Sequence, residues 1–269
     1  MSALWCNGRL VDGLTLDPAE RGLMLGDGIF ETILVRDGSA VWLDPHIARM
    51  ARAAQTLGLA FDEHKLRGAL FNVLIKTDAP AEVLRITLTR GPTGRGMAID
   101  GDKPTLIVSL NPFDLTKLPR SVRLATSTIR RNPTAPSSNL KTTSYIDGIA
   151  AAREVKVVAD DALMLNTAGH VACTTIGNIF LLSGQTLVTP ADGQGLLPGI
   201  TRGMLMAGVA ELGLSLEARP VDPAELIAAD AVFVTNSLRL ATPVSSIDGK
   251  PCKTSAISMI TEFLERSMS

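Results

Sequence analysis

The chain has 269 residues, 46% of them apolar, enough to bury a sizeable core in two domains or one large one. Its 26 basic and 27 acidic side chains leave a net charge of −1 with no charged block, which argues against a nucleic-acid-binding face or a polybasic membrane contact. No apolar run is long enough to cross a bilayer, no basic and apolar leader opens the chain, and Cys6, Cys173 and Cys252 fit neither a disulfide framework nor a zinc spacing. The expectation is a reduced, cytoplasmic protein.

In chain order, Leu4 to Val11 reads as a hairpin around the Asn7-Gly8 turn, and Gly28 to Trp42 as another around Asp37-Gly38. Apolar residues at Ile47, Met50, Ala54 and Leu57 have helical spacing from Asp44 onward, and Gly58 ends that helix. A second helix is predicted from about Asp62 to Lys76. Strands Val83–Arg90 and Pro104–Leu110 flank a glycine-rich loop, Gly91-Pro-Thr-Gly-Arg95-Gly96. The aperiodic Leu115 to Arg120 stretch, with Pro119, is the expected boundary between a small N-terminal domain (1–117) and a larger C-terminal one (121–269).

The second half opens with a strand at Ser121–Ile129. A loop carrying Lys141 follows, and a helix runs on through about Val158. Strands are predicted at Ala162–Asn166, Asn178–Leu182 and Thr186–Thr189. A helix at Thr201–Gly213, a strand at Leu216–Pro220, a helix at Asp222–Ala228, a strand at Ala231–Thr235 and a final helix from about Thr254 complete the pattern. Helices and strands intermingle with several hairpins, which makes the fold class α+β.

The chemistry concentrates around Ser138-Asn-Leu-Lys141-Thr-Thr-Ser-Tyr145. Lys141 follows a Pro/Ser-rich turn, and Arg130-Arg131 lie just upstream. A lysine that attacks a carbonyl must be partly neutral, which calls for desolvation or neighbouring cations. Three separated segments can bind an anion: Pro198-Gly-Ile-Thr201 at a strand-to-helix transition, Thr235-Asn-Ser237 after a strand, and Arg49 one helical turn from His46. One amine nucleophile with three anion-binding candidates is what pyridoxal 5'-phosphate, an aldehyde-phosphate cofactor, requires.

These motifs resemble those of the class IV aminotransferases, the fold-type IV pyridoxal phosphate enzymes. That group includes branched-chain aminotransferases, D-amino acid aminotransferases and aminodeoxychorismate lyases. The likeness rests on Leu25-Gly-Asp-Gly-Ile-Phe-Glu31, Leu43-Asp-Pro-His46-Ile-Ala-Arg49, Asn139-Leu-Lys141, Gly177-Asn-Ile-Phe180, Leu197-Pro-Gly-Ile-Thr201-Arg and Thr235-Asn-Ser237, which span nearly the whole chain. It implies a fold with the site in the cleft between the two domains. Lys141 would carry the cofactor and move the proton. Arg49, Ile200, Thr201, Asn236 and Ser237 would hold the phosphate, with Tyr145 near the cofactor.

One position departs from the family pattern. The family places a glutamate 32 residues after the lysine, facing the pyridine nitrogen; here that residue is Cys173. Either Thr174 or Thr175 substitutes, or the ring withdraws electrons less strongly, or Cys173 is a small core residue. On the substrate side, Arg95 either grips a carboxylate or caps a solvated hairpin tip, and Phe30 and Met97 would give apolar walls.

The leading expectation is an aminotransferase between a branched-chain or D-amino acid and a 2-oxo acid, working as a homodimer. The alternatives are a 4-amino-4-deoxychorismate lyase giving 4-aminobenzoate and pyruvate, and a catalytically weak protein that binds the same cofactor. Arg239 is closer to the lyase pattern.

Overall fold

The computed structural model describes residues 2–101, 103–255 and 257–268. The chain forms two compact units, Met1–Lys117 with Leu140–Ser144, and Leu118–Asn139 with Tyr145–Ser269. Mixed strands and helices make the α+β class plain.

The N-terminal unit is built on an antiparallel sheet ordered Arg9–Leu10, Ala3–Cys6, Thr105–Pro112, Ala81–Thr89, Gly28–Arg36, Ser39–Ala40. Both predicted hairpins form. Their turns use left-handed backbone at Asn7 and Asp37, residues whose short polar side chains tolerate it. Helix Leu43–Leu57 ends at Gly58 with φ 62°, and helix Glu63–Leu74 starts at an Asp62 cap that accepts from Lys65 N–H. Ile47, Met50 and Ala54 pack with Leu66, Leu70 and Val73 onto Ile33, Val35, Leu84, Ile86 and Val108. That cluster is the core, on the helix-covered face of the sheet.

Lys141, expected in a loop that leads into a helix, lies instead in extended backbone. Strand Ser39–Ala40 covers only the Val35–Arg36 end of strand Gly28–Arg36, so the other end of that edge is open to a partner. The Leu140–Ser144 segment takes the place. Phe30 N–H donates to Lys141 O at 2.9 Å, Thr143 N–H donates to Gly28 O at 2.9 Å, and Ile29 pairs with Thr142. The β-branched Thr142 and Thr143 favour this extended form. Helix Ile146–Val155 begins only afterwards. Lys141 therefore belongs to the N-terminal unit rather than to a C-terminal domain of residues 121–269.

The C-terminal unit carries a nine-stranded mixed sheet. Its path runs Ser215–Arg219, Thr186–Pro190, Asn178–Ser183, Ala231–Asn236, Leu240–Ile247, Val122–Thr126, Asp161–Leu165, Val171–Thr174, with Lys250–Pro251 paired to Leu240–Ile247. Helix Pro223–Ala228 starts with a full capping box between Asp222 and Glu225. Helix Ile200–Gly208 lies against helix Ile257–Arg266: a Cβ on Gly208 would sit 2.0 Å from the Phe263 ring. Among the described residues, no helix is long and apolar enough to cross a membrane.

Candidate active site

The sheet register decides which way Lys141 faces. Pairing Ile29 with Thr142 sets Phe30 opposite Lys141 on one face and Glu31 opposite Leu140 on the other. Leu140 accordingly packs against the helix-side core. Lys141 Nζ lies 4.4 Å from the Phe30 ring centroid, and Arg85 Cζ lies 3.9 Å from the same centroid. Burial above all, then the Arg49 and Arg85 charges against a partial offset from Glu31, hold the Lys141 amine down at about 8.

Glu31 interrupts an otherwise apolar row, Ile29, Ile33 and Val35, on the core face. It is 1% exposed and has three bonds from the Leu43–Leu57 helix. Arg49 Nε donates to Oε1 at 2.8 Å, Arg49 Nη2 to Oε2 at 2.6 Å, and His46 Nδ1 meets Oε2 at 2.7 Å. Burial alone would raise this carboxyl, but the bonds from His46 and Arg49 outweigh it and hold it at about 2. His46 is pushed below the usual histidine value by burial, which outweighs the pull of Glu31. A neutral His46 donates from Nδ1, and its buried Nε2 has no hydrogen-bond partner in the protein.

The glycine-rich loop is tied down by a second ionic cluster. Asp27 accepts from Arg21 Nε at 2.7 Å and Arg90 Nε at 2.8 Å. Arg21 also donates to the carbonyls of Gly96 and Met97, and Arg90 to those of Leu57 and Gly58. Arg95 is exposed on this loop. Met97, expected to wall the pocket, is 82% exposed, whereas Phe30 is 7% exposed and stacked with Lys141. The loop's backbone is fixed by Arg21, which leaves the Met97 side chain pointing into solvent.

In the C-terminal unit, helix Ile200–Gly208 opens after Gly199, which is extended and supplies no side-chain cap. Thr201 thus lies in the first turn instead of capping it. Its Oγ1 is buried with no partner, and so is Thr235 Oγ1 on the Ala231–Asn236 strand against which the helix packs. A Cβ on Gly199 would fall 2.1 Å from Asn178 Oδ1, while Asn178 Nδ2 donates to Leu197 O at 2.8 Å. The Gly177-Asn178 motif therefore fastens the turn that leads into this helix. Asn236 Oδ1 accepts from Leu238 and Arg239 N–H, so that carbonyl oxygen shapes the turn at Ser237.

Tyr145 stands at the start of helix Ile146–Val155 and is half-buried. Cys173 is 8% exposed on strand Val171–Thr174. Burial pushes its thiol up to about 11, with Arg131 pulling the other way. The two hydroxyls named as substitutes both donate within the unit: Thr175 to Asp161 Oδ1, and Thr174 to Gly177 O at 3.4 Å.

Glu31, His46 and Arg85 surround Lys141, and the sequence reading gave none of them a role of its own. The signal for Glu31 was present, as a carboxylate in an apolar alternation needs a partner, and His46 and Arg49 share one helix face. Arg85 carries no local signal, since only its contact with the Phe30 ring sets it apart; Thr235, named with its segment, is further marked by a buried hydroxyl without a partner.

Each unit carries groups of the kind that an aldehyde-phosphate cofactor needs. The N-terminal unit offers an amine near neutrality, and the C-terminal unit offers a helix N-terminus and two buried hydroxyls that lack partners.

A model of the family described as Amino-transferase class IV matches residues 28–247. The aminodeoxychorismate lyase of Bacillus subtilis is 30% identical over 255 residues, covering 91% of this chain and 86% of that protein. The D-alanine aminotransferase of Bacillus licheniformis is 26% identical, covering 97% of this chain and 94% of that protein. The branched-chain aminotransferase structure from Thermoproteus uzoniensis superposes with a TM-score of 0.89 at 26% identity, over 98% of this chain and 93% of that one. With the matched family model spanning most of the chain, the protein belongs to the class IV aminotransferases, enzymes that use pyridoxal phosphate.

Proposed function

We propose that this enzyme moves an amino group between an amino acid, branched-chain or of D configuration, and a 2-oxo acid. The observation that carries the proposal is the Lys141 amine, held at about 8 over Phe30. When bound, pyridoxal phosphate supplies the aldehyde that receives the amino group and the ring that withdraws electrons. The remaining work falls to the chain's own residues. Lys141 takes and returns a proton at Nζ, which at neutral pH it does far more readily than an ordinary lysine. Phe30 keeps water from that amine.

In the C-terminal unit, the first-turn N–H groups of Ile200 and Thr201, the Thr201 and Thr235 hydroxyls, Asn236 and Ser237 serve the phosphate. Arg49 adds a cation fixed by Glu31, and Tyr145 and Cys173 line the cofactor. Arg95 grips the substrate carboxylate, with Phe30 as the apolar contact. A homodimer is the working form, in keeping with the exposed apolar Leu23, Met24 and Leu25. Light scattering that found only monomer would refute that part.

The second reading is the 4-amino-4-deoxychorismate lyase, favoured by the 30% identical Bacillus subtilis relative. Both readings use Lys141 in the same way. The test is borohydride fixation of the cofactor, which should mark the Lys141 peptide, followed by a panel of L- and D-amino acids with pyruvate or 2-oxoglutarate beside an aminodeoxychorismate assay. Turnover of the panel supports the aminotransferase, and turnover of aminodeoxychorismate alone supports the lyase. An adduct on Lys156 or another lysine overturns both.

A further inference from the structure

We infer that Glu31 is a positioning residue: the buried anion that holds the Arg49 guanidinium in one orientation and balances the charge of that cation at the Lys141 amine. The inference rests on the reading of Lys141 as the reacting amine.

The placement of Glu31 is costly on its face. It lies on the core side of strand Gly28–Arg36, between Ile29 and Ile33, at 1% exposure. A carboxylate taken out of water there needs compensation for its lost hydration, and a well-packed apolar residue is often as stable as a buried ion pair. Stability alone therefore does not account for it, whereas orientation does. Arg49 uses two nitrogens, Nε and Nη2, on the two oxygens of one carboxylate at 2.8 and 2.6 Å. That fork fixes the plane of the guanidinium as a single contact would not. His46, from the same helix, adds a third bond to Oε2 at 2.7 Å and keeps Glu31 from turning about its own bonds. Being neutral, His46 locks the pair without adding charge.

Charge balance gives the second half of the inference. The ionisable groups acting on Lys141 come from three elements: Glu31 on the paired strand, Arg85 on the next strand, and Arg49 on the helix, the helix that also carries His46. Arg49 and Arg85 disfavour the protonated amine, and Glu31 is the group that favours it. Arg85 and Lys141 both lie over the Phe30 ring, with both cations within 4.4 Å of its centroid. Glu31 thus sets an upper limit on how neutral the amine becomes while holding Arg49 in place.

The test uses the full-length chain freed of cofactor, and two readouts that do not depend on turnover. The first is the pH midpoint of Lys141 acylation by an amine-selective reagent, quantified on the Lys141 peptide by mass spectrometry. The second is the Kd for pyridoxal phosphate from equilibrium dialysis. Glu31→Gln should lower the midpoint by about one to two pH units, the effect of removing one charge about 6 to 12 Å away at an effective dielectric near 20. It should also weaken cofactor binding by about tenfold or more, through the freed Arg49.

Glu31→Asp keeps the charge on a shorter arm, so its midpoint should stay near wild type while its Kd still rises. A purely structural role would not separate the two readouts in this way. If stranding Arg49 unfolds Glu31→Gln, the Glu31→Gln/Arg49→Met double variant carries the test. Its midpoint should return toward wild type, whereas Arg49→Met alone should raise it. A midpoint unmoved in Glu31→Gln, or a double variant that matches Arg49→Met, overturns the inference. A borohydride adduct absent from Lys141 would instead sink the functional reading and leave the midpoint measurement to judge Glu31.

Discussion

Replacing Lys141 with methionine separates what the amine costs the fold from what it gives to chemistry. An ordinary lysine titrates at 10.5, and burial together with the Arg49 charge holds this one at about 8. At about 1.4 kcal/mol per pH unit, that gap costs the cofactor-free fold on the order of 3 kcal/mol when the amine is protonated. The sign follows from proton counts. Between about 8 and 10.5 the unfolded chain holds the proton and the folded chain does not, so stability rises with pH across that window. Below 8 both states are protonated and the cost is felt in full; above 10.5 neither is, and it is gone. Methionine keeps the apolar stem without the charge.

Lys141→Met should therefore be the more stable protein near pH 7, by roughly 2 to 3 kcal/mol, with half-burial of the amine pulling toward the lower figure. For a chain of this size that is a rise in Tm of roughly 4 to 12 °C. The advantage should shrink above pH 8 and close near 10.5. Urea titrations of both proteins, freed of cofactor and followed by circular dichroism at a series of pH values, measure it. A methionine variant that is less stable at neutral pH, or a difference that ignores pH, would refute the reasoning.

Thr201→Val should act in opposite directions on two measurements. It removes a buried hydroxyl without a partner and so leaves the cofactor-free chain equally or more stable, by up to about 1 kcal/mol, yet it should weaken pyridoxal phosphate binding about ten- to a hundredfold, as dialysis would show. Asp27→Asn leaves Arg21 and Arg90 without their shared anion, so the 91–101 loop should become the first site of limited proteolysis at a cost of about 1 to 3 kcal/mol; unchanged cleavage would show that the backbone bonds of Arg21 suffice. In Cys173→Glu, a correctly folded and cofactor-loaded variant should run single-turnover amino transfer faster, because the native thiol, pushed up to about 11, supplies no anion at neutral pH. A rate equal to or below wild type would identify Cys173 as packing.

The elements that a local pattern can specify were legible. The Asn7-Gly8 and Asp37-Gly38 turns demand left-handed backbone, and Gly58 does the same at the end of its helix. What escaped were elements that exist through pairing. Strand Leu240–Ile247 contains Pro243, which reads as a breaker, yet its ladder with Val122–Thr126 begins only at Val244, so no hydrogen bond on that side needs the missing N–H. Strand Val171–Thr174 is four residues long and lies just beyond the Gly169 turn, too short for any period to be counted. The Lys141 segment looked like the mouth of a helix because a helix does follow; its extended form comes from a sheet edge more than a hundred residues earlier in the chain.

The same pairing explains why the motifs named the amine but not its surroundings. Side chains on a strand alternate between faces, so the position that pairs with Phe30 sends its side chain away from the core and the one that pairs with Glu31 sends it inward. Lys141 and Leu140 occupy those two positions. A slip of one residue would exchange them, driving an ammonium into the Ile33 and Ile47 core and leaving a leucine over Phe30. The contacts that oppose the slip include Phe30 N–H to Lys141 O, Thr143 N–H to Gly28 O, and Thr143 Oγ1 to Gly26 O at 2.8 Å. Gly28 is needed at that junction, since a Cβ there would lie 2.9 Å from Leu88 O. The glycines of the Leu25–Glu31 motif thus fix the register, and the register in turn decides that the lysine meets an aromatic ring that Arg85 also covers, while the glutamate on the opposite face is left to Arg49 and His46.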